Sequence, residues 1–247
     1  MAISVIIPAL DEEEEIETCL KSLRKQKFEG KYEIILVDGF SQDKTVERAK
    51  PYVDKVLKKH AHGPAAARNV GAEHAKYDVL AFIDADCEAE KDWLERIQLD
   101  FINEKLMGVG GVLRPREGSW FDNVVFKINS DWWVRLSTIF GIYQLYGNNC
   151  AYRKEIFKKL CGFSTEISFF EDTELSMRAK KVGKIKIDPN LIVYASTRRF
   201  KQKGYLSVAA KNVQAFFNFL LGRPIKTRYF DTIDHNKNGT QAPEKCP

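Results

Sequence analysis

The chain has 247 residues, 44% of them hydrophobic and 30% charged, which suits one large α/β domain or two small ones with a sizeable core. A formal net charge of +5 is too mild to imply nucleic-acid binding. The five scattered cysteines include no C-x-x-C pair, which argues against a disulfide framework or zinc site and suits a reducing cytoplasm, and no apolar run reaches the roughly 18 residues a membrane span needs.

The start lacks the basic n-region of a secretory signal, so none is expected. Residues 3–7 predict a short apolar strand stopped by Pro8. Acids follow at once, from Asp11 to Glu15, and then Ile16, Leu20 and Leu23 fall at helical spacing with Lys21, Arg24, Lys25 and Lys27 towards the far end. Acids first and bases last complement a helix dipole, which predicts Glu14 and Glu15 as a solvated first turn. Asp11 and Glu12 sit in the strand-to-helix turn, where a ligand would also lie. After Gly30, residues 33–37 predict a second strand ending at Asp38, with Ser41 or Asp43 capping a helix over 44–50. A third strand over 53–57 and an Ala-rich helix up to Ala75 follow.

The run 79–83 reads as a buried parallel strand and ends in Asp84-Ala85-Asp86, with Glu88 two residues on. Open α/β sheets present ligands at the carboxyl ends of their strands. Hard cations such as Mg²⁺ or Mn²⁺ take oxygen ligands there and bridge to substrate phosphates. Alternate residues of an extended segment share a face, so Asp84, Asp86 and Glu88 are expected to converge, with Ala85 leaving room for a ligand. The plain alternative is that these acids cap the helix starting near Lys91. The β-α-β-α-β-α-β order predicts a mostly parallel sheet covered by helices. The first turn is acidic and free of glycine, which excludes the dinucleotide fingerprint, so a metal would have to neutralise bound phosphates.

A helix is predicted over 93–101 and a glycine-bearing strand over 107–113, followed by Arg114 and Arg116. Between Trp120 and Tyr146 apolar residues recur at 121, 124, 125, 128, 132, 136, 139, 140 and 143, a helical stripe rich in Trp and Phe. It reads either as a core helix or as an interfacial helix pair with Trp120, Trp132 and Trp133 at headgroup level. Glu171-Asp172 precede another helix and by themselves read as an N-cap pair. Short strands are predicted over 184–187 and 191–194. From Pro189 to Phe230 there is no Asp or Glu, while Arg198, Arg199 and further Lys and Arg residues accumulate, and the tail from Asp231 is polar.

Five segments in order resemble the inverting glycosyltransferases of family 2, with the GT-A fold. They are Val5-Ile-Ile-Pro-Ala-Leu-Asp-Glu-Glu, Val37-Asp-Gly-Phe-Ser-Gln-Asp, Ala67-Arg-Asn-Val-Gly-Ala, Phe82-Ile-Asp-Ala-Asp, and Gly147-Asn-Asn-Cys-Ala-Tyr-Arg-Lys through Phe170-Glu-Asp-Thr-Glu-Leu-Ser-Met-Arg. The resemblance implies an α/β GT-A domain with added amphipathic helices and a basic C-terminal segment. Residues 1–118 would be its nucleotide-sugar half, 119–230 its acceptor half and 231–247 a polar tail. It implies that Pro8, Leu10 and Glu12 line the base pocket, that Asp38 accepts from the base, and that Arg68 approaches the nucleotide. Asp84, Ala85 and Asp86 would hold ribose and a Mn²⁺ or Mg²⁺ ion, with Glu88 a further ligand. Arg114, Arg198 and Arg199 would meet the donor, and Asp172, with Glu171 beside it, would be the catalytic carboxylate. Many relatives carry a His near Ala195, which some use as a metal ligand, and a second Asp at Gly39; this chain has neither.

The implied reaction moves a sugar from a nucleoside-diphosphate sugar to an acceptor. The aromatic stripe beside the acid-free segment suits a polyprenyl phosphate or lipid-linked glycan, met by a peripheral protein on the inner face of the cell membrane. Two other classes compete. A nucleotidyltransferase would show a glycine-rich basic first turn, and a non-catalytic binding module would have no need of the carboxylates at 84, 86 and 172.

Overall fold

The computed structural model describes residues 1–60, 63–167 and 170–198, with Gly204 and Gln214 beyond them. The first stretch alternates β1 (Ala2–Ala9), α1 (Ile16–Arg24), β2 (Lys31–Asp38), α2 (Thr45–Ala49), β3 (Lys55–Lys58), α3 (Pro64–His74) and β4 (Val79–Ile83). These strands pair in parallel, β1 lying between β2 and β4. The chain then adds β5 (Cys87–Ala89), α4 (Trp93–Phe101), β6 (Leu106–Pro115), α5 (Trp120–Lys127), α6 (Trp133–Ile139), β7 (Asn149–Arg153), α7 (Lys154–Lys159), α8 (Glu171–Val182) and β8 (Lys184–Ala195). All eight strands form one sheet in the order β3-β2-β1-β4-β7-β6-β8-β5. The β4–β7, β6–β7 and β5–β8 pairs are antiparallel.

Strand alternation sends side chains to two cores. Ile3, Val5, Ile7, Ile34, Leu36, Val79 and Ala81 face α1 and α4, where Leu20, Trp93 and Ile97 are buried. Ile6, Ile35, Val37, Leu80 and Phe82 face the opposite side and meet Ala67, Ala72, Phe157 and Leu175. The near-continuous apolar strands at the centre are what a sheet covered on both faces requires.

Three expectations change. Residues 184–195 form the single strand β8, and β5 and β7 join the sheet although their short segments carry no alternating pattern. The stripe from Trp120 is not one helix to Tyr146: a π-helical turn at Ile128–Trp132 separates α5 from α6. α6 stops at Gly141, whose φ is +79°. There Ile142 N–H donates to Ser137 O and Gly141 N–H to Thr138 O, a Schellman stop that continues into non-helical chain. Most of the stripe is not core either, since Trp120, Phe121, Ile128, Trp132, Leu136, Ile139 and Phe140 are exposed. Arg199, the basic segment beyond it and the polar tail lie outside the described residues.

Candidate active site

Parallel pairing brings the carboxyl ends of β1, β2 and β4 to one edge of the sheet. β7 runs against β4 and β6, so its start reaches the same edge as the end of β6. β8, parallel to β6, brings Ala195 there and, just beyond it, Arg198. Glu12, Asp38, Asp84, Asp86, Arg114 and Arg198 therefore all stand at this edge.

Arg68 is the hub of the inner part. It projects from α3, its side chain only 4% exposed; Nη2 donates to Asp84 Oδ1 at 2.7 Å, and Nη1 reaches Glu171 Oε1 at 3.3 Å. The guanidinium also lies over the Phe163 ring, 5.4 Å from its centroid. A cation taken out of water needs such partners. Arg68 thus joins the tip of β4 to the start of α8.

α8 begins after Phe170, held at φ 66°, so Glu171 and Asp172 fall in its first turn. Asp172 Oδ2 accepts from Gly147 N–H at 3.0 Å, and Oδ1 accepts from Thr173 N–H at 2.6 Å. Burial pushes the Asp172 carboxyl above its ordinary range, and burial together with the neighbouring Asp172 charge does the same to Glu171. Gly147 is fixed by close approach: a Cβ there would sit 2.9 Å from Arg68 Nη1.

The acidic first turn is a set of counter-charges. Glu12, expected at the base pocket, is buried and accepts from Arg198 Nη2 at 2.7 Å. Glu15 is also buried, 2.6 Å from Arg116 Nη2 and 3.2 Å from Ser196 Oγ. The expectation of a solvated Glu15 fails because Arg116, some hundred residues on, needs the charge; Glu14 does stay exposed. Arg116, Glu15, Glu117, Ser196, Thr197 and Arg198 line a cleft of about 210 Å³. Arg114 points elsewhere, with Nη1 and Nη2 paired to the two oxygens of Asp131 at 2.8 and 2.9 Å.

At the end of β1, Pro8 pairs with Val37 in the sheet and Leu10 is exposed on the rim. Asp38 is fully buried; Oδ1 accepts from Ser41 N–H at 3.2 Å and Ser41 Oγ–H at 2.6 Å, while Oδ2 has no partner among the described residues.

The expected convergence of Asp84, Asp86 and Glu88 does not occur. The chain turns at residues 85–86, closed by Cys87 N–H donating to Asp84 O at 3.1 Å, so strand periodicity does not carry across. Glu88 instead sits opposite Tyr194 in the β5–β8 pair, and Ala85 packs into the core rather than leaving space. Among the described residues no group of three or more His, Cys, Asp or Glu could hold a metal ion. Asp84 and Asp86 alone still suit an ion whose shell is completed by substrate phosphates and water, the usual arrangement for Mg²⁺.

An open α/β sheet covered by helices, with acids and arginines gathered at its carboxyl edge, has its candidate site where sheets of this class take their ligands. The family model described as Glycosyl transferase family 2 matches residues 4–161, and the chain belongs to that family. Among curated relatives, Glycosyltransferase AglE of Haloferax volcanii is 39% identical over 101 residues, 38% of this chain and 33% of that protein. The dolichyl N-acetyl-alpha-D-glucosaminyl phosphate 3-beta-D-2,3-diacetamido-2,3-dideoxy-beta-D-glucuronosyltransferase of Methanococcus voltae is 26% identical, over 88% of this chain and 76% of that protein. Mannosyltransferase PcManGT of Pyrobaculum calidifontis, solved with GDP-Man and Mn²⁺, superposes with a TM-score of 0.63 at 22% identity, covering 78% of this chain and 56% of that one. The fold is GT-A. The chain thus spans about a third of the length of the Haloferax relative and somewhat over half of the Pyrobaculum chain.

Proposed function

We propose that the chain is a metal-dependent inverting glycosyltransferase. It moves a sugar from a nucleoside-diphosphate sugar to a polyprenyl phosphate at a membrane surface. The observation that carries this reading is the gathering of Asp38, Asp84 and Asp86 on one sheet edge, with Asp84 tied through Arg68 to Glu171, the neighbour of Asp172. The Mn²⁺ and GDP-Man of the Pyrobaculum structure and the dolichyl phosphate in the name of the Methanococcus relative lend support by likeness.

In this reading Asp38 accepts a hydrogen bond from the base, Leu10 borders it, and Asp84 and Asp86 hold the divalent ion. That ion, when bound, supplies positive charge towards the diphosphate. Arg116 and Arg198 line the cleft beside the leaving group and stabilise its growing charge. A phosphate-monoester oxygen of the acceptor forms the new bond to the anomeric carbon as the bond to the diphosphate oxygen breaks. Such an oxygen is already ionised, so no general base is required. Asp172, held by Gly147 and Thr173, then positions the 147 loop rather than removing a proton.

The membrane part rests on α5 and α6. Trp120 is 78% and Trp132 75% exposed, with five further large apolar residues exposed between 121 and 140. An exposed patch of this kind marks an interaction surface, and its two exposed Trp side chains suit an interfacial helix. No helix among the described residues is long and apolar enough to cross a membrane. The association proposed for α5 and α6 is peripheral, on the cytoplasmic face.

The test is transfer from UDP-, GDP- and dTDP-sugars with Mn²⁺ to polyprenyl phosphate in liposomes. Activity that is lost in Asp84→Asn/Asp86→Asn but kept within about tenfold in Asp172→Asn fits the proposal. Loss of several orders of magnitude in Asp172→Asn would assign a hydroxyl acceptor, and unchanged turnover in the double variant would overturn the site.

A further inference from the structure

Between the end of α6 and the start of β7 the chain has neither helix nor strand, yet it is bonded step by step to α8. Ile142 N–H, at its start, donates to Ser137 O on α6. The N–H groups of Tyr143, Leu145 and Gly147 then donate to Met177 Sδ at 3.3 Å, Ser176 Oγ at 3.0 Å and Asp172 Oδ2 at 3.0 Å. Alternate N–H groups thus meet side chains that step back towards the start of α8. Lys180 Nζ, about one turn further along that helix, lies 4.6 Å from the Tyr143 ring centroid. On its other side the segment presses on β6, where a Cβ at Gly110 would stand 2.9 Å from Leu145 Cα.

Ser176 is the middle step and is fully buried. A serine hydroxyl has one donor and two acceptor positions. Here Oγ–H donates to Asp172 O at 2.6 Å, and Oγ accepts from Leu145 N–H. Tyr152 Oη, 3.3 Å away, is the remaining donor. A helix serine that only bonds back to the carbonyl four residues earlier needs neither of the last two contacts. The segment therefore grips Asp172 at two points: its carbonyl through Ser176, and its carboxylate through Gly147 N–H.

We infer that Met177 and Ser176 are positioning residues that pass the seating of α6 on a lipid surface to Asp172. This rests on the membrane reading of α5 and α6 given above. Ile139 and Phe140, both exposed, stand at the end of α6, immediately before the segment. A bilayer that takes up those side chains fixes the end of α6, and with it the setting of residues 142–147 along α8. Asp172 is then held in one place, beside Glu171, which Arg68 ties to Asp84. Lipid and Asp172 need not touch; the packed segment between them has a looser and a fixed setting, and both sites bias it. The acceptor side of the site is thereby completed at a lipid surface and not in bulk water.

The experiment is amide hydrogen exchange of the full chain with and without phosphatidylcholine/phosphatidylglycerol vesicles that contain no polyprenyl phosphate. Exchange at Tyr143, Leu145 and Gly147 should slow on vesicles by about five- to tenfold, the lower end of ordinary coupling between two sites. Met177→Leu conserves volume and removes the sulfur acceptor, so Tm should stay within about 2 °C. This variant should bind vesicles as the wild type does and lose the slowing at Gly147. Ser176→Ala leaves Leu145 N–H without its acceptor, and should keep Leu145 and Gly147 in fast exchange on vesicles and off them. Should that variant not fold, Met177→Leu decides alone. Wild type that binds vesicles with exchange at Tyr143, Leu145 and Gly147 unchanged, or slowing at Gly147 that survives in Met177→Leu, overturns the inference and leaves the membrane reading standing. No binding of wild type to vesicles overturns both.

Discussion

Arg68 and Asp84 form a buried ion pair, Nη2 to Oδ1 at 2.7 Å, and the same guanidinium reaches Glu171 on α8. The β4 tip and the α8 start depend on one cation. Arg68→Ala would leave both carboxylates facing each other without it. Breaking a buried pair by removing one partner costs about 3–5 kcal/mol, so urea denaturation of this variant should show a loss of that order. Arg68→Lys should rescue only part of it, because an ammonium is a point charge and cannot fork to two carboxylates in the same geometry.

The carboxyls of Glu171 and Asp172 are held above their ordinary range, chiefly by burial. In the window between the unfolded and the raised folded values, the folded chain binds more protons than the unfolded one. Stability from these groups is therefore full below the unfolded values and is lost as pH rises through the folded ones. Glu171→Gln/Asp172→Asn removes both titrations. The difference in unfolding free energy, wild type minus variant, should fall as pH is raised from about 4 towards neutrality. A difference that is flat or rises with pH would show that the pair is not protonated more readily in the fold.

Gly147→Ala tests how tightly the α8 start is packed. The added methyl would meet Arg68 Nη1 at 2.9 Å and Cζ at 3.0 Å. Arg68 is pinned between two acids and cannot swing away. A destabilisation of about 1–3 kcal/mol is expected, the range for overpacking a full site. Activity should fall with it, since Gly147 N–H is the donor to Asp172.

Trp120→Ser/Trp132→Ser addresses the exposed face of α5 and α6. Both side chains stand largely clear of the protein, at 78% and 75% exposure, so the change should leave Tm within about 2 °C. Co-sedimentation with liposomes containing anionic lipid should drop at least severalfold. Equal partition of wild type and variant would remove the membrane reading of this face.

Much of the fold was open to a reading of the chain. The runs at 3–7, 33–37 and 79–83 are mostly apolar, and each ends in an acid-bearing turn, so parallel strands and a ligand edge could be inferred from order alone. The strands β5 and β7 were not open to it. Asn149–Arg153 runs straight into α7 with no turn residue between, and its two neighbours come from elsewhere in the chain. The site was legible as residue types and not as pairings. Glu15 reads locally as a helix-start acid, yet Arg116 holds it; Arg114 reads as a donor contact, yet Asp131 takes it. Such partners are chosen by the sheet, and no local window contains them. The end of α6 is a middle case: Gly141 was visible, but the spacing of apolar residues runs on past it to Tyr143.

The π-helical turn also ties the outer surface to the inner edge. Ser130 Oγ accepts from Leu113 N–H at 2.8 Å, and Asp131 grips Arg114, both at the tip of β6. The tryptophan-bearing helices are thereby bolted to the strand that leads directly into Arg116. Whatever surface those helices rest upon, its tilt sets the direction in which the cleft mouth opens.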